Sequence, residues 1–422
     1  LEIYVPRPFT ADRPAVSYTH QRFAVNIEDH PAAKNLPKAT ETASIQLGPQ
    51  HFRAFAARED APATIEDFIH HDTPQLSLHI TSFNNATLVA LSWPHTLMDV
   101  MGQQALLRAW SLVLAGREAE VPSVLGTRED AVCAVVDAAE KQEEFKLGEK
   151  QLRGWGLVRF GLQFAWDLLW NQVVETRTIF LPREAMAKLR SQAQEDLASA
   201  SLDGGEELPF VSEGDVLTAW TTRAVVSSLP QPRPVTVLHA LNARFRIPAL
   251  VQAPGVYLQN MVVAACTFLS PEMAMGPLGA IALENRRHVM EQSTESQVLA
   301  FLRKLQHGSN KGENHDPALV LCGDPNAVLM PVTNWTRADF FKTADFGPAV
   351  LSAVSGTNDT QQPSRSNPPG TMVYQHAQSM RQGAATRNVV VVLGKDHGDN
   401  YWLTGILLPR AWAKLEEEVK KL

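Results

Sequence analysis

Cysteine is scarce in this 422-residue chain: Cys133, Cys266 and Cys322 are far apart, odd in number and form no CxxC pair. That excludes a disulfide framework and a thiolate zinc cluster, and it points to a reducing, cytoplasmic setting. Apolar runs approaching ~18 residues are also missing, so no ordinary membrane span is expected. No long basic run occurs, and 38 Lys+Arg against 45 Asp+Glu leave a net charge of −7. Neither nucleic acid nor an anionic membrane is therefore an expected partner. The chain begins at Leu1 with no methionine or signal-like pattern, so a trimmed or processed start is expected.

What is present is a globular composition, 45% hydrophobic and 20% charged, over a length that calls for two domains rather than one core. Strands and helices alternate unevenly, which predicts an α/β chain of mixed sheets covered by helices. Residues 1–75 are irregular, with weak strand signals at Ala15–Tyr18 and Phe23–Ile27. His70 and His71 are adjacent, and neighbouring side chains rarely face one way, so they are not read as metal ligands. Leu76, Leu78 and Ile80 alternate with polar residues, Asn84-Asn85 marks a turn, and the chain returns through Thr87–Ser92 as a hairpin.

The apolar run Leu88–Trp93 reads as a buried strand stopped by Pro94. His95 follows at once, and Asp99 stands four residues later, where helical spacing begins (Met98–Leu114). A histidine on the lip between strand and helix has a fixed backbone and an imidazole free to face a cleft. By itself His-x-x-x-Asp is weak, because such five-residue patterns arise by chance.

Further along, Glu129–Gly148 is expected to be helical. Gly154–Trp170 carries Trp155, Phe160, Phe164, Trp166 and Trp170, which suits a packed crossover helix, an apolar substrate path or a surface that touches a membrane. Strands are expected at Glu175–Leu181, Val235–Leu241, Met261–Thr267, Val328–Thr333, Ala349–Val354 and Trp402–Leu407, and a strand pair at Met372–Gln375 with Asn388–Leu393. Helices are expected at Arg183–Leu197, at Val216–Ser227 behind a capping box of Ser212 and Asp215, at Gly279–Leu305 and from Pro409 onward. Ser199–Glu207, His307–Asp316 and Ser355–Pro369 read as surface loops.

Three features add weight to His95. Arg244 and Arg246 fall on one side if the strand before them continues, and two guanidiniums there need carboxylates or an anionic ligand. Asp99 and Asp345 are the unassigned acids. Thr333-Asn-Trp335 ends a strand with a hydroxyl and an indole N–H, both donors. Asp345-Phe-Gly347 could pass for a kinase motif, but the glycine-rich loop, the H-R-D and the strand lysine are missing, which excludes a kinase.

In this order, His95-x-x-x-Asp99, Arg244-x-Arg246, Tyr257-Leu-Gln-Asn260, Thr333-Asn-Trp335 and Asp345-Phe-Gly347 resemble the motifs of the BAHD acyltransferases. The fungal secondary-metabolite branch, trichothecene acetyltransferases among it, is the nearest in character. Departures are Val100 for a common Gly, Gln259 for the Gly of Y-F-G-N, Asn334 for the Ser of T-S-W, and Pro348-Ala349 for the end of D-F-G-W-G. The resemblance implies a chloramphenicol acetyltransferase-like fold: two similar domains of mixed sheet flanked by helices, with the active site in the channel between them. The first domain would be residues 1–180, carrying His-x-x-x-Asp and lacking its first segment. The second would be residues 181–422, carrying Asp345-Phe-Gly347, with strand exchange between the two allowed.

The resemblance also implies acyl transfer, expected to be acetyl, from acyl-CoA to a hydroxyl or amine of a small molecule by a cytoplasmic monomer with no metal and no bound cofactor. His95 would be the general base, and Thr333 and Trp335 the donors to the tetrahedral oxyanion. Asp99, Arg244, Asp345 and Gly347 would be structural, with an Asp99–Arg244 salt bridge. The alternatives are a condensation-domain-like enzyme with a carrier-bound acyl donor, disfavoured by Pro94 and Val100 where His and Gly are usual, and a non-catalytic metabolite-binding protein.

Overall fold

Runs such as Val328–Asn334 and Val389–Lys395, apolar almost without a break, suit parallel strands covered on both faces, and they form the centre of the main sheet. The computed structural model of the protein describes residues 2–139, 143–200, 209–310, 320–350, 367–383 and 385–422. In chain order the strands are β1 Val16–Arg22, β2 Ser44–Leu47, β3 Leu76–Ser82, β4 Thr87–Ser92, β5 Val124–Leu125 and β6 Glu175–Leu181. They continue with β7 Val235–Asn242, β8 Val256–Tyr257, β9 Val262–Leu269, β10 Val328–Asn334, β11 Val389–Lys395 and β12 Tyr401–Leu407. A seven-stranded sheet has the order β2-β6-β12-β11-β10-β7-β9, a three-stranded sheet the order β1-β3-β4, and β5 pairs with β8. Within the large sheet β7, β10 and β11 run parallel, while β9, β12, β6 and β2 are antiparallel to their neighbours.

The longer helices are α1 Val100–Leu114, α2 Ala131–Ala138, α3 Trp155–Trp170, α4 Arg183–Ala200, α5 Glu213–Ser227, α6 Leu278–Gln292, α7 Glu295–Asn310 and α8 Pro409–Val419. One face of the large sheet is covered by α4, α5, α6 and α8, whose Leu189, Trp220, Ile281 and Trp412 join Val237, Met330 and Val390 in one core. Over β9, Val298 and Phe301 of α7 join Val136, Phe145, Val263 and Cys266 in a second. Each fully buried large side chain contributes about 1.5–3 kcal/mol. The α5 capping box is formed, with Ser212 Oγ accepting from Asp215 N at 3.2 Å and Asp215 Oδ2 accepting from Ser212 N at 2.8 Å.

Several expectations are corrected. Leu88–Trp93 is not buried: β4 is the edge of the small sheet, half-exposed along its length. The span Gly279–Leu305 is two helices, divided after Gln292, and α7 runs on to Asn310 where a loop was expected. Among the described residues of Glu129–Gly148 there are α2 and then a 3-10 turn, Lys146–Gly148, rather than one continuous helix. Phe23–Ile27 is not a strand; a 3-10 turn starts at Ile27. Met372–Gln375 does not pair with β11, whose edges are taken by β10 and β12; Gln375 only donates its side-chain amide to Leu393 O at 2.9 Å. Gly347–Ala349 is a 3-10 turn rather than the start of a strand. The rest of that strand and most of the loops at Ser199–Glu207, His307–Asp316 and Ser355–Pro369 lie outside the described residues.

His239, buried on β7, shares a 3.0 Å hydrogen bond with Thr267 Oγ1 on β9, and burial, with His288 adding to it, pushes its pKa down to about 4. Unfolding returns the ring to its ordinary value near 6.5, so the unfolded chain binds the extra proton between about pH 4 and 6.5. Stability contributed here is full above pH 6.5 and is lost as the pH falls towards 4. Urea unfolding at pH 5 and pH 7 is expected to show a smaller stability difference for His239→Gln than for the native protein; an unchanged difference rejects the assignment.

Candidate active site

Proline cannot continue a strand's hydrogen bonding or an α-helix's, and between the end of β4 at Ser92 and the start of α1 at Val100 the chain makes a tight turn. Three bonds hold that turn: Leu97 N to Pro94 O at 2.8 Å, Trp93 Nε1 to Met98 O at 3.0 Å, and Asn260 Nδ2 to His95 O at 2.6 Å. The backbone of His95 is thus clamped from two sides while its side chain is exposed. Among the described residues none hydrogen-bonds to its ring.

Asp99 does the opposite, with only 2% of its surface exposed. One carboxylate oxygen caps α1, accepting from Met101 N and Gly102 N at 3.0 Å each. The other accepts from Arg244 Nη1 at 2.8 Å and Met261 N at 2.9 Å. The carboxylate is filled by four donors and faces Arg244 and β9, so it has nothing left with which to orient His95. The salt bridge expected between Asp99 and Arg244 is present.

Arg244 does not lie on a continued strand. Asn242 ends β7, its Oδ1 accepts from Arg244 N at 2.9 Å, and a 3-10 turn, Ala243–Phe245, follows. The two arginines therefore do not share a face. Arg244 is buried, donating to Tyr257 O at 3.1 Å, to Gln259 O and to Asp99. Arg246 turns back to Asn242 O at 2.7 Å, and burial, with Arg337 nearby, lowers its pKa. It is not paired with Asp345, as the sequence had suggested it could be.

Thr333 and Trp335 stand at the C-terminal end of β10. Trp335 Nε1 donates to Thr333 Oγ1 at 3.0 Å. The indole N–H is therefore spent inside the pair, and only the Thr333 hydroxyl proton is left to point outward. Trp335 packs in the same apolar cluster as Val100, Met101, Leu107 and Phe340, which ties the end of β10 to the first turns of α1 behind His95. Just beyond, in the 3-10 turn Thr336–Ala338, the Arg337 guanidinium lies 3.5 Å from the Phe245 ring centroid, so the Arg244–Arg246 turn touches the chain that follows Trp335.

Asp345 and Gly347 are on the far flank of α1. Asp345 Oδ1 accepts from Gly347 N at 2.8 Å, Asp345 N donates to Ser111 Oγ at 2.9 Å, and Phe346 meets Trp110 with centroids 5.1 Å apart. This turn buttresses the C-terminal half of α1 and is not adjacent to the Asp99–Arg244 pair. The structure thus gathers His95, Asp99, Arg244 and Asn260 in one knot, with Thr333 and Trp335 joined to it through α1, and leaves Asp345 and Gly347 apart.

Two residues had been given no role from the sequence. Asn260 was quoted only as part of a motif, yet it holds the histidine's carbonyl. Gly102 sits where a Cβ would come within 2.1 Å of Leu258 O, so the absence of a side chain there lets the segment after β8 cross close against α1. The one signal was its place three residues after Asp99, on the helix face that Asp99 also occupies.

No family model matches the chain. The acetyltransferase pyiB of Pyricularia grisea is 35% identical over all of this chain and 82% of its own length. The O-acetyltransferase PaAT-2 of Phomopsis amygdali is 33% identical, again over all of this chain and 86% of its own length. Among solved structures, F. graminearum TRI101 complexed with coenzyme A and T-2 mycotoxin shares the fold, with a TM-score of 0.60 at 16% identity over 96% of this chain and 80% of that one.

Asp99→Ala strands a buried guanidinium and removes the α1 cap, so a loss of about 3–5 kcal/mol in urea unfolding is expected. Adding Arg244→Met should recover a good part of it, whereas equal losses in the single and double variants would mean the ion pair is not what holds the turn. Gly102→Ala, which forces α1 away from Leu258, should cost about 1–3 kcal/mol in the same assay, and a neutral result would contradict the close crossing.

Proposed function

The chain belongs to the fungal acyltransferases of the BAHD type, and from that membership we propose that it moves an acetyl group from acetyl-coenzyme A to a hydroxyl of a small secondary metabolite, with His95 as general base. The observation that carries the assignment of the base is the contrast between two neighbouring side chains. His95 is fixed through its backbone with a free, exposed imidazole, and Asp99 is saturated and buried. Relatives named as acetyltransferases that align along the whole chain support the reaction class.

In the proposed mechanism, neutral His95 removes the proton from the acceptor hydroxyl as its oxygen attacks the thioester carbonyl. The carbonyl π-pair moves onto oxygen, giving a tetrahedral oxyanion. Thr333 Oγ–H donates to that oxyanion, and the Trp335 indole, by donating to the same oxygen of Thr333, polarises the hydroxyl and fixes its proton outward. This changes the expected roles: Thr333 alone meets the oxyanion, and Trp335 positions it. Collapse re-forms the carbonyl, expels coenzyme A as thiolate, and the imidazolium returns its proton to the sulfur. Acetyl-CoA enters as a co-substrate, and every step is supplied by the chain's own side chains.

The same proposal keeps Asp99, Arg244, Asp345 and Gly347 as residues that shape the turn and α1. It divides the chain at residues 180/181, at the end of β6, so that the first part lends both β2 and β6 to the large sheet. It also places the enzyme in the cytoplasm as a monomer.

The test is thiol release from acetyl-CoA in the presence of a metabolite extract, with the acetylated product identified by mass spectrometry. His95→Ala should lower turnover by about 10²–10⁴-fold and Thr333→Val by about 10²–10³-fold, both without loss of folding stability. Trp335→Phe should fall between Thr333→Val and the native enzyme. Near-native turnover by His95→Ala would remove the base, and near-native turnover by Thr333→Val would remove the oxyanion donor.

A further inference from the structure

Helix α3 is apolar on both faces: it has no fully buried residue, and its outer face carries a stripe of large apolar side chains. Trp155, Val158, Leu162, Trp166, Leu169 and Trp170 recur at helical spacing and are 78, 46, 65, 58, 61 and 67% exposed. The packed crossover helix expected from the sequence is not what the structure shows. The helix cannot simply roll this stripe inward. On its inner side Asp167 is held by Arg233 at 2.8 Å, and Arg387 donates to the carbonyls of Asp167 and Asn171 at 2.9 Å each. Phe160 and Phe164 face a cavity of about 260 Å³ beside the starts of β10 and β11, the end of the sheet away from His95.

An exposed, contiguous apolar stripe of this kind marks a contact surface, and its chemistry discriminates between occupants. Each indole is apolar but carries an N–H that needs an acceptor once water is removed. Among the described residues none accepts from Trp155, Trp166 or Trp170, and the stripe itself has no Asp, Glu, Asn, Gln, Ser or Thr. Pairing with the same stripe on a second copy would bury these donors without partners. A lipid headgroup layer offers ester and phosphate oxygens at the depth where an interfacial helix lies. The charge has the matching sign. From Glu149 to Val174 the sequence has Lys150, Arg153 and Arg159 against Glu149 and Asp167, and Asp167 is turned inward onto Arg233. Arg153 and Arg159 are exposed. Screening limits a surface charge to about 8 Å at physiological salt, so this local excess of cations, not the net −7, is what a membrane meets.

We propose that α3 is a membrane-docking helix that lies in the surface of an anionic bilayer, with Trp155, Leu162 and Trp166 in the headgroup–acyl boundary and Arg153 and Arg159 on lipid phosphates. Docking of this kind needs no membrane span, and none of the helices among the described residues is long and apolar enough to cross a bilayer. It is independent of the acyl-transfer chemistry and would bring the enzyme to the phase in which apolar acceptors concentrate.

The experiment is flotation of the full 422-residue chain with vesicles of phosphatidylcholine alone and of phosphatidylcholine doped with phosphatidylserine, read alongside tryptophan emission. The native protein should float with the anionic vesicles, shift its emission to the blue and sink when the salt is raised. Arg159→Gln should bind about fivefold more weakly. The triple variant Trp155→Gln, Leu162→Gln, Trp166→Gln should stay at the bottom while keeping its thermal transition and its turnover of a water-soluble acceptor. Failure of the native protein to float with either vesicle overturns the proposal. So does a concentration-dependent dimer in sedimentation that the triple variant abolishes, since the occupant of the stripe would then be a second copy.

Discussion

The buried pair Asp99–Arg244 is the constraint on which the rest of the site depends. Two charges removed from water at a separation of 2.8 Å are tolerable only if every remaining lone pair and proton is satisfied. Here they are nearly all used. Asp99 receives two amides of α1 and one of the β9 approach, and Arg244 donates to the carbonyls of Tyr257 and Gln259. The pair welds three pieces of chain far apart in sequence, the start of α1, the turn after β7 and the segment entering β9. Asn260, in the last of these, then reaches back to the His95 carbonyl. The position of the proposed base is therefore set by its backbone, and its imidazole owes nothing to the acid four residues away.

A division of labour of this kind distinguishes the arrangement from a catalytic triad, in which a carboxylate orients the histidine directly. Here orientation through the main chain leaves the ring free to meet a substrate hydroxyl. On the other side of the proposed reacting centre the logic repeats, since the Trp335 indole spends its N–H on Thr333 rather than on a ligand. In both places a neighbouring side chain, Asn260 in one and Trp335 in the other, fixes the group proposed to react. The parallel strands ending at Asn242 and Asn334 supply the rigid support, and the apolar cluster of Trp335, Phe340, Leu107 and Met101 locks α1 to it.

Much of this was legible in the sequence, and the gaps have physical reasons. The hairpin into Pro94, the helix that follows it, the capping box of Ser212 and Asp215 and the Asp99–Arg244 pair all rest on local patterns or on the need of a buried charge for a partner. What periodicity could not show was how strands find their neighbours. Met372–Gln375 has a strand's composition, but the edges of β11 were already taken by β10 and β12. Ser44–Leu47 is too short to signal, yet it joins the large sheet through β6. Arg244 and Arg246 diverge because Asn242 captures the next amide and ends the strand, a side-chain competition that alternation ignores. The aromatic run in α3 was visible, but which of its faces would be covered was not, because that depends on Arg233 and Arg387, distant in sequence and each two residues ahead of a strand of the large sheet.

The measurement that bears most directly on the central claim, that His95 alone is the base and is held by its backbone, is chemical rescue. A His95→Gly enzyme leaves the clamp from Asn260 and the turn from Pro94 in place and removes only the imidazole. Supplied with acetyl-CoA, acceptor and free imidazole, it is predicted to regain thiol release in proportion to the unprotonated imidazole present. Thiol release that stays at its basal level at every imidazole concentration, from an enzyme that still binds acetyl-CoA, would contradict it.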